Sequence, residues 1–353
     1  MIYVYQEKMT HNVIGQGTYG CIHSTSLLCN TGKLNSKDTI SKVLLKTYGK
    51  EEIITNGMID KIDKECKFHL GKPKKCAIKN SRSNKDAINK CRTSKYIDRN
   101  KITNNMLLLM KNGGINLDTF AIKIRDMSAN EDTNNLMLRF WIEAHRLILG
   151  IDTFQKKDFI HHDIKPQNIV FNEKTMRLNY IDFGLSGSIK KYMSLSVIGR
   201  NGLATEWWSY PPEYKYMNRN EFNVRAKTIK RINKGDALNN THVQGFLPYI
   251  VSHKERYKKD LEWLLKYGYQ NYDLLLEKSF KTFDIYGLGF TFILILDSGR
   301  HLMDVSLWYD LHDLFYMTIT PKYVDRIDSS TFLYEYENIL EKHNVLHKFK
   351  VFL

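Results

Sequence analysis

The run His161-His162-Asp163-Ile164-Lys165-Pro166-Gln167-Asn168 spaces an acid, a cation and a carboxamide at intervals that phosphoryl transfer can use. Asp163 could accept the proton of an attacking hydroxyl. Lys165, two residues on, could neutralise charge on the moving group, and Asn168 offers an uncharged oxygen to Mg²⁺. Fourteen residues after Asn168, Asp182-Phe183-Gly184 follows the strand-like Leu178-Asn179-Tyr180-Ile181, which would set a second hard-oxygen ligand at a strand end. Far upstream, Gly15-Gln16-Gly17-Thr18-Tyr19-Gly20 lies between strand-like runs, flanked by Ile14 and Ile22. Glycines there let a hairpin backbone close over phosphate oxygens with no side chain in the way. Alone this is a weak signal, since such glycine spacing arises easily in loops. The order of the three segments gives it weight.

Those groups need elements to hold them. HNVIGQG, CIHSTSLLC and TISKVLLK read as short strands separated by glycine and asparagine turns, so a small antiparallel sheet is expected. Residues 50–62 place Ile54, Met58 and Ile62 at four-residue spacing, which predicts one apolar helical stripe. Met106-Leu107-Leu108-Leu109-Met110 reads as a buried strand ending at a Lys-Asn-Gly-Gly turn. Beyond Gly114 the texture turns helical. LMLRFWIEAHRLILGIDTF has helical apolar period, and FDIYGLGFTFILIL is apolar all round, the mark of a helix buried inside a lobe. The expected class is α+β: a small β-rich lobe over 1–112 and a larger, mainly helical lobe over 113–353.

The motifs together resemble the eukaryotic-type protein kinase family over nearly the whole chain. The glycine-rich loop, the HxDxKxxN loop, the DFG and the Tyr210-Pro211-Pro212-Glu213 run fall in family order. The resemblance implies ATP and Mg²⁺, or Mn²⁺ in its place, as cofactors. Its implied ATP contacts are Ile14, Gly15, Gln16, Gly17, Thr18, Tyr19, Gly20 and Ile22, with Met110 and Asn112 near the adenine. It also implies Asp163 and Lys165 as catalytic residues, Asn168 and Asp182 as metal ligands, and a protein serine or threonine hydroxyl as acceptor. Asp284 would hold the catalytic-loop backbone, and Arg326 would pair with Glu213. The family's strand-three lysine is matched best by Lys42, with Lys46 as alternative; strand alternation favours Lys42, because Ser41 and Val43 point the other way. Its helical partner is Glu51 or Glu52. A kinase-fold scaffold without activity and a lipid or small-molecule kinase are the rival readings.

Three departures from the family stand out. The arginine before the catalytic aspartate is His162, so the cation that usually reads an activation-segment phosphate is missing. The family's APE is PPE, and 70 residues separate Glu213 from Asp284. The TISKV run, the tryptophans before PPE and the lysine- and asparagine-rich composition are most similar to kinases of large DNA viruses. That similarity implies a place in host cytoplasm or virion.

Composition adds boundaries. The net charge is +15, and residues 61–101 hold fourteen Lys or Arg against four Asp or Glu. The block from 66 to 104 therefore reads as a solvated basic insertion, weakly apolar, whose removal from 72 to 100 should spare the core. Its field could draw an acidic partner, nucleic acid or an anionic membrane. A second insertion is expected at about 214–283. Five cysteines, an odd number, fit free thiols in a reducing compartment; Cys66, His69, Cys76 and Cys91 lack paired metal knuckles. No secretory leader is evident, and the longest apolar run, Phe290–Leu296, is too short to cross a bilayer, so a cytoplasmic chain without a transmembrane segment is expected. Trp207 and Trp208 are candidates to line a substrate groove.

Overall fold

A computed structural model describes residues 12–17, 19–31, 38–199, 209–228 and 253–345. Thr18, Arg200, Thr205, Trp207 and Trp208 lie outside the described residues. The chain divides into two compact units, Met1–Gly113 and Gly114–Leu353.

The first unit is built on a five-stranded antiparallel sheet of β1 (Val13–Gln16), β2 (Gly20–His23), β3 (Thr39–Leu45), β4 (Lys74–Cys76) and β5 (Asn105–Lys111), ordered β1-β2-β3-β5-β4. Two helices accompany it, α1 (Lys46–Ile62) and α2 (Arg82–Asn89). Register places Lys42 between Ile22 on one side and Leu108 on the other.

Two expectations for this unit are overturned. The stripe Ile54, Met58, Ile62 is not the packed face of α1: Ile54 is 66% and Met58 39% exposed, while Glu52, Asn56 and Ile59 are buried. The buried side, 49, 52, 56 and 59, is recognised by spacing alone, because Ile59 is the one large apolar residue among its four members. The basic block is not a solvated insertion either. It supplies β4, which pairs with β5, and α2, whose Ala87 and Ile88 enter the unit's core with Ile78, Cys91, Ile97 and Ile102. Its lysines project outward from β4 and α2 while Ala87 and Ile88 are buried, so net charge concealed an edge strand and a core-packed helix.

The cysteine reading also changes. Cys21 is bonded to Cys91 and Cys29 to Cys76, and Cys66 belongs to neither bridge. The partners lie 70 and 47 residues apart and meet because β4 and α2 return to the sheet. Cys66, His69, Cys76 and Cys91 therefore do not form one metal site. His69 instead bridges Asp63 and Asp60, each 2.8 Å away. Burial disfavours its charge, but the two carboxylates outweigh that and raise its pKa.

The second unit is mainly helical. Its elements are α3 (Leu117–Arg125), α4 (Glu131–Lys156), α5 (Ile189–Val197), α6 (Arg219–Thr228), α7 (Lys254–Tyr267), α8 (Tyr272–Ser298), α9 (Val305–Ile319) and α10 (Ser329–Lys342). Short strands β6 (Ile115–Asn116), β8 (Ile169–Asn172) and β9 (Arg177–Tyr180) form one antiparallel sheet; β7 (Phe159–Ile160) and β10 (Gly187–Ser188) form a second. A capping box at Asn130 and Thr133 starts α4, which buries Phe140, Trp141, Leu147 and Ile151. By length and composition α8 could cross a membrane, more than its apolar heptapeptide alone indicated. Yet 89% of its most apolar window is buried within the fold, as for a core helix. The stretch read as a second insertion is packed where it is described: Tyr257, Leu261 and Leu264 of α7 are buried, and Asp260 accepts hydrogen bonds from Tyr316 and Thr320.

Candidate active site

In the first unit the glycine-rich turn joins β1 to β2, with Gly15 opposite Ile22 and Gln16 opposite Cys21. The Gly17 N–H donates to the Gly20 carbonyl at 2.9 Å and closes the turn. A Cβ on Gly17 would meet only that carbonyl, at 3.9 Å, so the backbone is bare at Gly17. Ile14 and Tyr19 are exposed on either side of it. Gly20 is needed for a different reason: a Cβ there would lie 3.0 Å from the Val43 carbonyl and 3.1 Å from Lys42 Cε.

Lys42 Nζ lies 2.9 Å from Glu52 Oε2, both side chains nearly buried. Of the alternatives left open by the sequence, Lys42 and Glu52 are the two that meet. Glu52 belongs to the buried face of α1, whereas Glu51 is exposed; Lys46 is the exposed first residue of the same helix. Breaking such a pair strands a charge in low dielectric, at a cost of about 3 to 5 kcal/mol. Met110, near the end of β5, is half-buried and faces Ile40, and the Asn112 N–H donates to the Asp38 carbonyl at 2.8 Å.

In the second unit the segment 161–168 is suspended from α8. Both oxygens of Asp284 accept backbone N–H groups, from His161 at 2.7 Å and His162 at 2.9 Å. Gly287, one turn along, allows the helix that close, since a Cβ there would sit 2.4 Å from the Ile164 carbonyl. His161, which the sequence reading passed over, is the central tie. Its Nδ1 accepts the Asp163 N–H at 3.3 Å, and its Nε2 lies 3.1 Å from the Ile181 carbonyl. Complete burial pushes its pKa down to about 4, so it stays neutral with the proton on Nε2. Its signature in the sequence is the histidine of the HxDxKxxN run, two residues before Asp163; the tie to Ile181 has none.

Around Asp163 the groups converge. Lys165 Nζ lies 2.9 Å from each carboxylate oxygen, and Asn168 Nδ2 donates to the Asp163 carbonyl at 2.8 Å and to Oδ2 at 2.7 Å. The Asn168 amide nitrogen is thus committed, which leaves its Oδ1 as the oxygen available to a hard cation. The Ile181 N–H donates to the Asn168 carbonyl at 3.0 Å, which brings the following Asp182 beside this cluster. Asp182 has φ +61°, in the left-handed region, and Phe183 beyond it packs against His161 at 4.7 Å. Burial raises the Asp163 pKa and the nearby Asp182 charge adds to that, while Lys165 and Asn168 oppose it.

His162 sits on the other side of the loop with φ +67°. Its ring packs between Tyr192 at 4.6 Å and Phe283 at 4.8 Å, with Tyr210 stacked at 6.1 Å. Burial pushes its pKa down to about 4, so it is an uncharged packing residue here. Farther out, Arg326 makes a fully buried two-point contact with Glu213, at 2.7 and 3.1 Å.

A β-sheet first unit followed by a mainly helical second unit is consistent with a bilobal kinase-like fold. No family model matches the chain. It is 24% identical over 109 residues to the chloroplastic serine/threonine-protein kinase STN7 of Arabidopsis thaliana. That stretch covers 31% of this chain and 19% of that protein, and it supports a relationship to protein kinases.

Proposed function

We propose that the chain is a serine/threonine protein kinase that transfers the γ-phosphoryl group of ATP to a protein hydroxyl with Mg²⁺. The observation that carries this is the arrangement at Asp163: a buried carboxylate oriented by Asn168 and paired with Lys165, close to Asp182. Asp163 would accept the hydroxyl proton. Lys165 would then shift its charge toward the transferring group, for which it needs only to rotate away from a carboxylate 2.9 Å distant. Asp182 and the Asn168 oxygen fit a hard dication, which would neutralise charge on the nucleotide phosphates. In the first unit Lys42, held by Glu52, would grip phosphate oxygens beneath the glycine-rich turn, whose backbone is bare at Gly17.

The test is a transfer assay with γ-labelled ATP and Mg²⁺ on purified protein, offered protein, lipid and small-molecule acceptors. Label on serine or threonine of protein, lost in the Lys42→Met variant, is the expected result. No transfer to any acceptor, with the wild type indistinguishable from Lys42→Met, would point to an inactive scaffold, and label on lipid or small molecules alone to the other rival.

The environment of His162 predicts how the activity would be regulated. An arginine at this position would anchor a segment phosphate through charge-assisted hydrogen bonds worth about 1.5 to 3 kcal/mol. A neutral histidine held among Tyr192, Tyr210 and Phe283 offers no such anchor. The segment is held by other means: Ser188 Oγ donates to Asp158 at 2.6 Å and caps α5, and Ser186 Oγ donates to the His161 carbonyl at 2.8 Å. Phosphatase-treated protein should therefore act on an added substrate at close to the untreated rate. A tenfold fall that preincubation with ATP restores would contradict this.

A further inference from the structure

The glycine-rich turn is tied along one side to the short segment of residues 91–96, and Tyr19 also packs on Tyr48 of α1 at 4.8 Å. Gln16 Oε1 accepts from the Thr93 N–H at 3.1 Å and from Thr93 Oγ1 at 3.2 Å. Ser94 Oγ donates to the Gly20 carbonyl at 2.9 Å. The rings of Tyr19 and Tyr96 stack at 5.3 Å. At the root of the segment Cys91 is bonded to Cys21, the residue immediately after Gly20. Arg99 braces the segment from behind, donating to the carbonyls of Cys91 and Ser94.

We propose that the Cys21–Cys91 bridge is a thiol modification site that sets how firmly this strap holds the glycine-rich turn, and thereby the affinity for ATP. The inference rests on the kinase reading for its ligand, but the strap itself lies wholly within the first unit. With the bridge closed, the strap's root is fixed one residue from Gly20, and the Gln16, Gly20 and Tyr19 contacts form at little further entropic cost. With it open, the same weak contacts must order both segments unaided.

His23 makes the pair suited to exchange. Cys21 and His23 lie two apart on β2 and so share a face. His23 Nε2 is 3.7 Å from Cys91 Sγ and 4.0 Å from Cys21 Sγ, with all three residues fully buried. A dithiol reductant would deliver a thiolate to one sulfur; the S–S bond breaks and its electron pair leaves on the other sulfur, which takes up a proton beside the imidazole. The reductant's second thiol then resolves the mixed disulfide, so that both cysteines end as thiols and the reductant as its internal disulfide. Because both sulfurs are buried, the strap must lift before attack. The Cys29–Cys76 bridge, whose Cys76 is half-buried, should open first.

That order makes the test selective. Full-length protein is held in dithiothreitol and sampled over time. Alkylation and mass spectrometry follow each bridge, backbone hydrogen exchange follows residues 13–23, and KM for ATP is measured on the same samples. Opening of Cys29–Cys76 should leave exchange at 13–17 and KM unchanged. Opening of Cys21–Cys91 should accelerate that exchange and raise KM about fivefold, the scale of freeing one or two ordered side chains, with kcat changed less and both effects reversed on reoxidation. Unchanged exchange and KM after Cys21–Cys91 has opened would overturn the proposal, as would a KM that moves with Cys29–Cys76. Should reduction unfold the unit, the Ser94→Ala, Tyr96→Ala double variant, which keeps both bridges, must show the same faster exchange and higher KM, and wild-type values there would equally overturn it. A protein that transfers no phosphate in any state refutes the kinase reading alone; hydrogen exchange then decides whether the strap is gated.

Discussion

Asp163→Asn is expected to slow transfer by about a hundredfold or more, the scale for removing a positioned base, with KM for ATP nearly unchanged. The substitution is almost isosteric, so the Asn168 Nδ2 contact and the backbone ties to Asp284 and His161 can persist. What disappears is the anion that would take the hydroxyl proton and that now holds Lys165 at 2.9 Å. The pH profile separates this from a structural effect. Burial, reinforced by Asp182, raises the Asp163 pKa above the ordinary carboxylate value against the pull of Lys165. Only the ionised form can accept the proton, so wild-type activity should fall as pH drops through that raised pKa. In Asp163→Asn the residual activity should lack this acid limb. Measured kcat, KM and thermal midpoint decide the matter. Near-wild-type turnover, or a loss explained by unfolding, would remove Asp163 from the role of base.

The candidate site was easier to propose from the sequence than the elements that support it. Asp163, Lys165, Asn168 and Asp182 could be singled out because charged and amide side chains at short spacing are chemically conspicuous. Lys42 was the best match that the family resemblance offered for its strand-three lysine, and it lies in β3, whereas Lys46 begins α1. Apolar spacing does not separate Glu52 from Glu51, because the buried face of α1 consists of Gly49, Glu52, Asn56 and Ile59. A helix that must deliver a carboxylate inward is polar on its packed side, so the usual amphipathic signal points to the wrong residues. The cysteines failed for a topological reason: Cys21 meets Cys91, and Cys29 meets Cys76, only after β4 and α2 have folded back onto the sheet. The role of His161 was not legible although the residue opens the HxDxKxxN run: its contact with Asp163 is local, but that with Ile181 depends on how the chain returns through β8 and β9.

Deleting residues 72–100 is expected to unfold the first unit, the opposite of what net charge suggests. The deletion removes β4, leaving the Lys74–Leu109, Lys75–Leu108 and Cys76–Leu107 register of β5 without its neighbour. It removes Ile78, Ala87, Ile88, Cys91 and Ile97 from the core cluster, and one cysteine of each bridge. Truncating a single buried isoleucine or leucine to alanine costs about 2 to 5 kcal/mol, whereas a whole domain is stable by about 5 to 15 kcal/mol. Losing three isoleucines at 0 to 5% exposure together with an edge strand therefore exceeds what the unit can spare. Calorimetry of the deletion variant, closed with a short Gly-Ser linker, should show no cooperative transition for the first unit. Ile88→Asp tests the same point without shortening the chain, since Ile88 is fully buried and an unpaired carboxylate there would have no compensating partner. A deletion variant that melts within a few degrees of the intact protein would return the block to the status of a surface insertion. A normal melt for Ile88→Asp would show that α2 does not contribute to the core.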